Sequence, residues 1–277
     1  MRLLNLGCGS RFHPDWTNID MNSSSPFVQA HNLRLGIPYP DRTFDAVYHS
    51  HLLEHFAKNE AIGLMQECFR VLKPGGIIRV VVPDLEQIAR MYLKLLNKVL
   101  QGEEGKKHDY DWILLELYDQ TVRDRPGGEM LNYLKQNPIP NRPFVEKRIG
   151  SEAYRIYQTI NKQNIQKTEK HSSIDNLIRH IRNLPQRIRT ILVKTLLSEK
   201  EYKALQVGLF RSEGEIHKWM YDRFSLARLI KQAGFQNPEQ RTALESAIEN
   251  WRHFNLDAET DGTVNKPDSL YMEAEKP

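Results

Sequence analysis

Three histidines and a glutamate fall within seven residues of one another: His49, His51, Glu54 and His55. An imidazole with a pKa of about 6.5 can take a proton near neutrality, so such residues suit general-base assistance to a hydroxyl nucleophile. If the stretch is helical, positions i, i+3 and i+4 share one face, and His51, Glu54 and His55 could form a facial metal site. The alternative is a Glu–His pair that caps a helix start and hydrogen-bonds locally; that reading is preferred, and no metal is assigned. Between the two lies a histidine that meets a substrate directly. A further candidate, His217, stands in Glu-Ile-His-Lys-Trp-Met-Tyr-Asp (215–222), where it could act as base or orienting donor. Trp219 and Tyr221 beside it could line a pocket or simply seal a domain junction, since large aromatics dominate buried contacts.

A different chemistry opens the chain. Leu3-Leu-Asn-Leu6 runs straight into Gly7-Cys8-Gly9, and a lone acid, Asp20, follows Thr-Asn-Ile. Glycines let a backbone turn sharply and lie against a ligand, and a carboxylate at the tip of the next strand accepts hydrogen bonds from ribose hydroxyls. A dinucleotide fingerprint would need a third glycine where Phe12 stands and an acid about twenty residues on; Asp20 comes eleven after Gly9. Gly-Cys-Gly-Ser-Arg also lacks the Gly-Lys-Ser/Thr ending of a P-loop. A nucleoside without phosphates fits better than a nucleotide.

The elements that must position these residues can be read from periodicity. Phe27–Leu33, Phe44–Ser50 and Ile77–Pro83 read as strands, the last nearly continuous and β-branched, as a central parallel strand should be. Leu52–Leu72 reads as one amphipathic helix stopped by Lys-Pro-Gly-Gly. Alternating strands and helices predict a doubly wound α/β sheet. From Leu85 to about Gly214 the period is helical instead, with helices expected near 85–101, 109–123, 144–162 and 174–197. A short helix over 225–233 and a strand over 268–274 then complete the sheet. The expected division is a core of 1–86 and 215–277 and a helical insertion, 87–214, that holds the second substrate.

Composition bounds the rest. The 277 residues carry a formal charge of +4, but 147–211 holds fourteen Lys/Arg against five Asp/Glu, a local +9 that leaves about −5 elsewhere. Within it, 174–197 forms an apolar stripe flanked by Arg179, Arg182, Arg187 and Arg189. A lid packed on the core is favoured there over a peripheral contact with an anionic membrane. Few aromatics interleave with the basic residues, so no nucleic acid partner is expected. Two cysteines are too few for a disulfide framework, no run of about 18 apolar residues exists and no leader is recognisable, which together suggest a cytoplasmic protein.

Taken together, Leu4-Asn-Leu-Gly-Cys-Gly9, Asn18-Ile-Asp20, Phe44-Asp-Ala-Val47 with Leu53-Glu-His55, and Arg70-Val-Leu-Lys-Pro-Gly-Gly76 resemble the class I S-adenosylmethionine-dependent methyltransferases, in particular the bacterial group with the type 11 pattern. The resemblance implies a Rossmann-like seven-stranded sheet with the last strand antiparallel, and S-adenosylmethionine as cofactor. It sets Leu6, Gly7, Cys8 and Gly9 against the cofactor, Asp20 on its ribose, Met21 against adenine, Asn32 and Leu33 at the adenine edge, and Ser50, with His49 and His51, near the transferable methyl. Asn5 stands where many such enzymes carry an acid, and Arg11 where they carry a third glycine. The implied reaction is methyl transfer to an oxygen, less favourably a nitrogen, of a small molecule or of a glycan or lipid-linked precursor. His51, His55 and His217 are the candidate bases. The alternatives are a nucleotide-sugar or nicotinamide enzyme on a related sheet and a non-catalytic protein that binds the same cofactor.

Overall fold

The structure is a computed structural model that describes residues 1–23, 25–168, 193–212 and 214–277. Seven strands form one sheet: β1 (Leu3–Leu6), β2 (Thr17–Asp20), β3 (Val28–Ala30), β4 (Phe44–Ser50), β5 (Leu72–Pro83), β6 (Gln236–Arg241) and β7 (Ser269–Glu275). Their order is β3-β2-β1-β4-β5-β7-β6. β7 runs antiparallel to both β5 and β6, and the other pairings are parallel. The expected antiparallel final strand is therefore present.

α1 (Lys58–Val71) and the later helix over Arg223–Gln232 cover one face of the sheet, burying Leu64, Met65, Val71, Leu226 and Ile230 with Leu4, Leu6, Val47, Val80 and Val82. An aromatic cluster on the other face joins Trp16, Tyr48, Trp251, Phe254 and Tyr271. Between 85 and 212 lie α2 (Leu85–Leu100), α3 (Lys107–Val122), α4 (Gly128–Leu134), α5 (Arg142–Ile149), α6 (Glu152–Thr168) and α7 (Glu199–Ser212), followed by α8 (Arg223–Gln232). Trp112, Tyr133, Val145 and Ile149 give this helical insertion a core of its own.

Several sequence expectations are corrected. The helix expected over 52–72 begins at Lys58; Leu53–His55 is a 3₁₀ turn, and Lys73–Gly76 belongs to β5 instead of ending a helix. The helix expected over 144–162 is two helices, broken at Gly150, whose φ of +60° a side chain rarely adopts. The third strand is confined to 28–30. β6 was missed because Gln-Asn-Pro-Glu-Gln-Arg has no apolar alternation; as the outermost strand it is exposed, which is also where a proline is tolerated. The expected helix over 174–197 lies, through residue 192, outside the described residues. Among the described residues no helix is long and apolar enough to cross a membrane.

Arg79 on β5 is fully buried, and its guanidinium is saturated with partners. Nε donates to Asp257 Oδ2 at 2.8 Å, Nη1 to Glu273 Oε1 at 2.7 Å and to the Glu245 carbonyl at 2.9 Å, and Nη2 to the Thr242 carbonyl at 2.8 Å, while also lying 2.8 Å from Asp257 Oδ2. Tyr48 donates to the other oxygen of Asp257 at 2.6 Å, and the Trp251 ring stacks 4.4 Å from the guanidinium carbon. This network ties the 242–257 segment to the middle of the sheet.

His49 on β4 is fully buried with neither ring nitrogen hydrogen-bonded, and burial pushes its pKa down to about 4. A histidine whose folded pKa lies below its unfolded value of about 6.5 binds its proton more readily in the unfolded chain. Its contribution to stability is therefore complete above about pH 6.5 and is lost as pH falls toward 4. The cost is roughly 2 kcal/mol at pH 5. Replacing His49 with leucine is expected to flatten this acid limb, raising the denaturation midpoint at pH 5 relative to wild type by more than at pH 7.5. An equal shift at both pH values would show that His49 is not the titrating group.

Candidate functional site

In this strand order the chain leaves β1 toward β2 and β3, then returns to the other side of β1 through β4 and β5, so a crevice opens at the carboxyl ends of β1 and β4 where the winding reverses. Gly7–Arg11 leave β1 there and Ser50–His51 leave β4. Together with Asn5 and Tyr48 they wall a cavity of about 200 Å³. Gly7 and Gly9 have φ of +62° and +54°, and a Cβ on Gly7 would meet Leu52 Cδ1 at 2.8 Å, so the turn needs glycine at its first position for space as well as for conformation. The Gly7 N–H donates to the Ile19 carbonyl at 2.8 Å, and the Gly9 N–H to Asp20 Oδ2 at 2.8 Å, which pins the turn to the tip of β2.

The far wall comes from distant sequence: Glu152 and Arg155 of α6, and Leu256, Asn265 and Lys266 from the segment before β7. Arg11 crosses the mouth, donating from Nε to the Leu256 carbonyl at 3.1 Å and from Nη1 to Glu259 at 2.9 Å. Asn5 donates to Asn18 Oδ1 at 3.1 Å and to the Arg11 carbonyl at 3.2 Å. The two departures noted in the sequence thus hold the loop and close the cleft.

Not every sequence candidate lines this cavity. Gly7, Cys8, Gly9, Ser50 and His51 do. Leu6 is fully buried behind the turn, and burial raises the Cys8 thiol to about 12, so it is neutral. Asp20, Met21, Asn32 and Leu33 are outside its walls: Asp20 supports Gly9, Met21 is exposed, Asn32 caps a 3₁₀ turn through the Arg34 N–H, and Leu33 packs in the core.

A second cavity of about 400 Å³ lies next door and shares His51, Glu152 and Lys266 with the first. Its other walls include His55, His217, Glu116, Arg123, Met130 and Ile156, so most of it is built by the insertion. The structure brings His51, His55 and His217 together here, although His217 is more than 160 residues from the others. Its N–H donates to the Gln120 carbonyl of α3 at 2.8 Å, and the Glu54 carbonyl accepts from the Lys218 N–H at 2.7 Å. Tyr221 is buried in the core and Trp219 is partly exposed beneath Lys58, and neither lines either cavity.

His51 does not share a helical face with Glu54 and His55. Its φ is +51°, a conformation that a non-glycine residue holds at a cost, and its N–H is held by the Val81 carbonyl at 2.9 Å. This turn aims the ring between the cavities, with Nε2 2.8 Å from Ser269 Oγ and Nδ1 3.3 Å from Glu54 Oε1. Burial holds His51 well below its ordinary pKa, with the positive charge of Lys266 adding to the effect, so the ring is neutral at pH 7. Burial likewise lowers His55 and His217, and raises Glu54 to about 8. Glu152, Arg155 and Lys266 carried no sequence signal; they are single polar residues on or beside the insertion.

Comparison with known proteins adds one segment match: residues 16–80 match the family model described as a methyltransferase domain. Among solved structures, a possible histamine N-methyltransferase from Thermotoga maritima is 11% identical, with 100% of this chain and 82% of that one covered and a TM-score of 0.40. A SAM-dependent methyltransferase from Archaeoglobus fulgidus is 12% identical, with 99% and 86% covered and a TM-score of 0.37. The match to the cyclase SpnF, 27% identical with a TM-score of 0.24, covers 29% of this chain and only 38% of that one. No curated protein is matched by the chain.

Proposed function

We propose that this chain, which carries the core of a class I S-adenosylmethionine-dependent methyltransferase, moves the methyl group to a hydroxyl oxygen of a small molecule or glycan precursor seated in the larger cavity. The residues present suit the cofactor. The two positive-φ glycines leave the backbone bare beside the smaller cavity, and Asp20 keeps lone pairs for a ribose on oxygens that each accept one backbone N–H. When bound, the cofactor supplies an electrophilic methyl on a sulfonium and leaves as the neutral thioether.

The observation that carries the reading is His51, which borders both cavities. A neutral imidazole there accepts the proton of the acceptor hydroxyl as its oxygen forms the new bond to carbon and the carbon–sulfur bond breaks. Glu54 Oε1 lies 3.3 Å from Nδ1 of the same ring. α6 and the 256–266 segment wall the place where the cavities meet, through Glu152 and Lys266, and holding the two reactants in line supplies roughly 7 to 11 kcal/mol of the barrier. A nicotinamide or nucleotide-sugar enzyme would need a phosphate cradle. The cations that line the smaller cavity are Arg11, which is committed to Glu259, Arg155, which is bonded to Asn265, and Lys266, which lies 3.6 Å from Glu152.

Equilibrium binding tests the cofactor half of the reading. S-Adenosylhomocysteine is expected to bind while NADH and UDP-sugars do not. Asp20→Ala is expected to weaken that binding by 10- to 100-fold, since hydrogen bonds to a charged group contribute about 1.5 to 3 kcal/mol. Unchanged affinity in Asp20→Ala would mean that the ribose is held elsewhere, and tight NADH binding would remove the methyltransferase reading.

A further inference from the structure

Glu54 is fully buried, and neither of its carboxylate oxygens has a hydrogen-bond partner. A buried acid with no partner for either oxygen is costly even when it takes up a proton, so its neighbours should explain it. Those neighbours are imidazoles. Glu54, His55 and His217 each offer a ligand atom, all within 4.8 Å of one another. His217 is itself buried, and its Nδ1 is also unpartnered. His55 is oriented as a metal-binding histidine usually is: Nδ1 lies 3.1 Å from the Ile216 carbonyl, a bond in which the ring donates, leaving Nε2 with its lone pair.

We infer that Glu54, His55 and His217 form a divalent-cation site at the floor of the larger cavity, with open coordination positions facing that cavity. Two imidazoles and one carboxylate suit borderline ions such as Zn²⁺, Fe²⁺, Co²⁺ or Mn²⁺. Ligand atoms around one such ion stand roughly 3 to 3.5 Å apart, so the three side chains close by about 1 Å on binding. The backbone already braces them: the Glu54 carbonyl accepts from Lys218 and Trp219, and His217 hangs from the Gln120 carbonyl, so the insertion and the core are clamped on either side of the site. Because His55 and His217 line the larger cavity, a ligand oxygen entering it could complete the coordination. His51 is not one of the three and stays free for the role given above.

A second cluster, His13, Asp15 and His253, is largely exposed, and His13 Nδ1 is already engaged by the Asp15 N–H at 3.2 Å. It serves as the control. Metal-stripped full-length protein would be titrated with Co²⁺, following visible absorption, and with Zn²⁺ by calorimetry. One ion per chain is expected, with affinity lowered at least 10-fold in Glu54→Gln and in His217→Ala and unchanged in His253→Ala. Thermal unfolding with and without Zn²⁺ supplies a second readout: the metal should raise the midpoint of the wild type and of His253→Ala but not of His217→Ala. Should Glu54→Gln fail to fold, His55→Ala and His217→Ala carry the test. Absence of stoichiometric binding, or binding lost only in His253→Ala, overturns the site. These readouts need no turnover and no cofactor, so their failure is distinct from a failure of the methyl-transfer reading.

Discussion

Replacing His51 with asparagine is expected to lower methyl transfer by 10²- to 10⁴-fold while S-adenosylhomocysteine affinity changes by less than about threefold, the range that loss of a general base covers. Asparagine is the informative substitution because it tolerates the left-handed backbone that His51 adopts at φ +51°, where alanine would add strain to lost chemistry. The argument rests on position: the ring lies where the two cavities meet, is hydrogen-bonded to Ser269 with Glu54 3.3 Å away, and is neutral at pH 7 because it is buried. A turnover within threefold of wild type, measured with a labelled methyl donor against cell extract, would remove His51 as base. A large loss of cofactor affinity instead would make it a wall of the smaller cavity only.

Arg79→Leu is expected to destabilise the protein by about 3 to 5 kcal/mol, because it strands two buried carboxylates, Asp257 and Glu273, and two backbone carbonyls. For a chain of this size that lowers the thermal midpoint by roughly 6 to 20 °C. Arg79→Lys should recover only part of the loss, since a lysine has three donors where the guanidinium makes four hydrogen bonds. The consequence reaches the site: Asp257 adjoins Leu256, which walls the cofactor cavity and accepts from Arg11. A denaturation midpoint within 1 kcal/mol of wild type would show that the carboxylates find other partners or take up protons at little cost.

The doubly wound sheet was legible because its strands are local apolar runs. Leu3–Leu6, Phe44–Ser50 and Ile77–Pro83 each bury both sides, and burial of that kind writes itself into composition. The turn at Gly7 and Gly9 was legible because only glycine is comfortable at both φ angles. β6 was invisible, since an edge strand of polar residues is specified by its partner β7 and not by its own pattern. The helix expected from Leu52 failed at its start for a similar reason. The apolar spacing continues back through Leu52 and Leu53, but the backbone at His51 is turned away by its bond to Val81, a contact with another strand.

The sequence by itself determined the sheet, the glycine turn after β1 and the supply of histidines, because each depends on residues close together in the chain. Only the tertiary structure decided how the histidines are used. Joining His217 to His55 and Glu54, setting Glu152 and Arg155 of the insertion opposite Gly7, and turning His51 between two cavities all depend on contacts between elements far apart in sequence. No local pattern records such contacts, since the energy that makes them comes from burying surfaces that meet only once the core has formed.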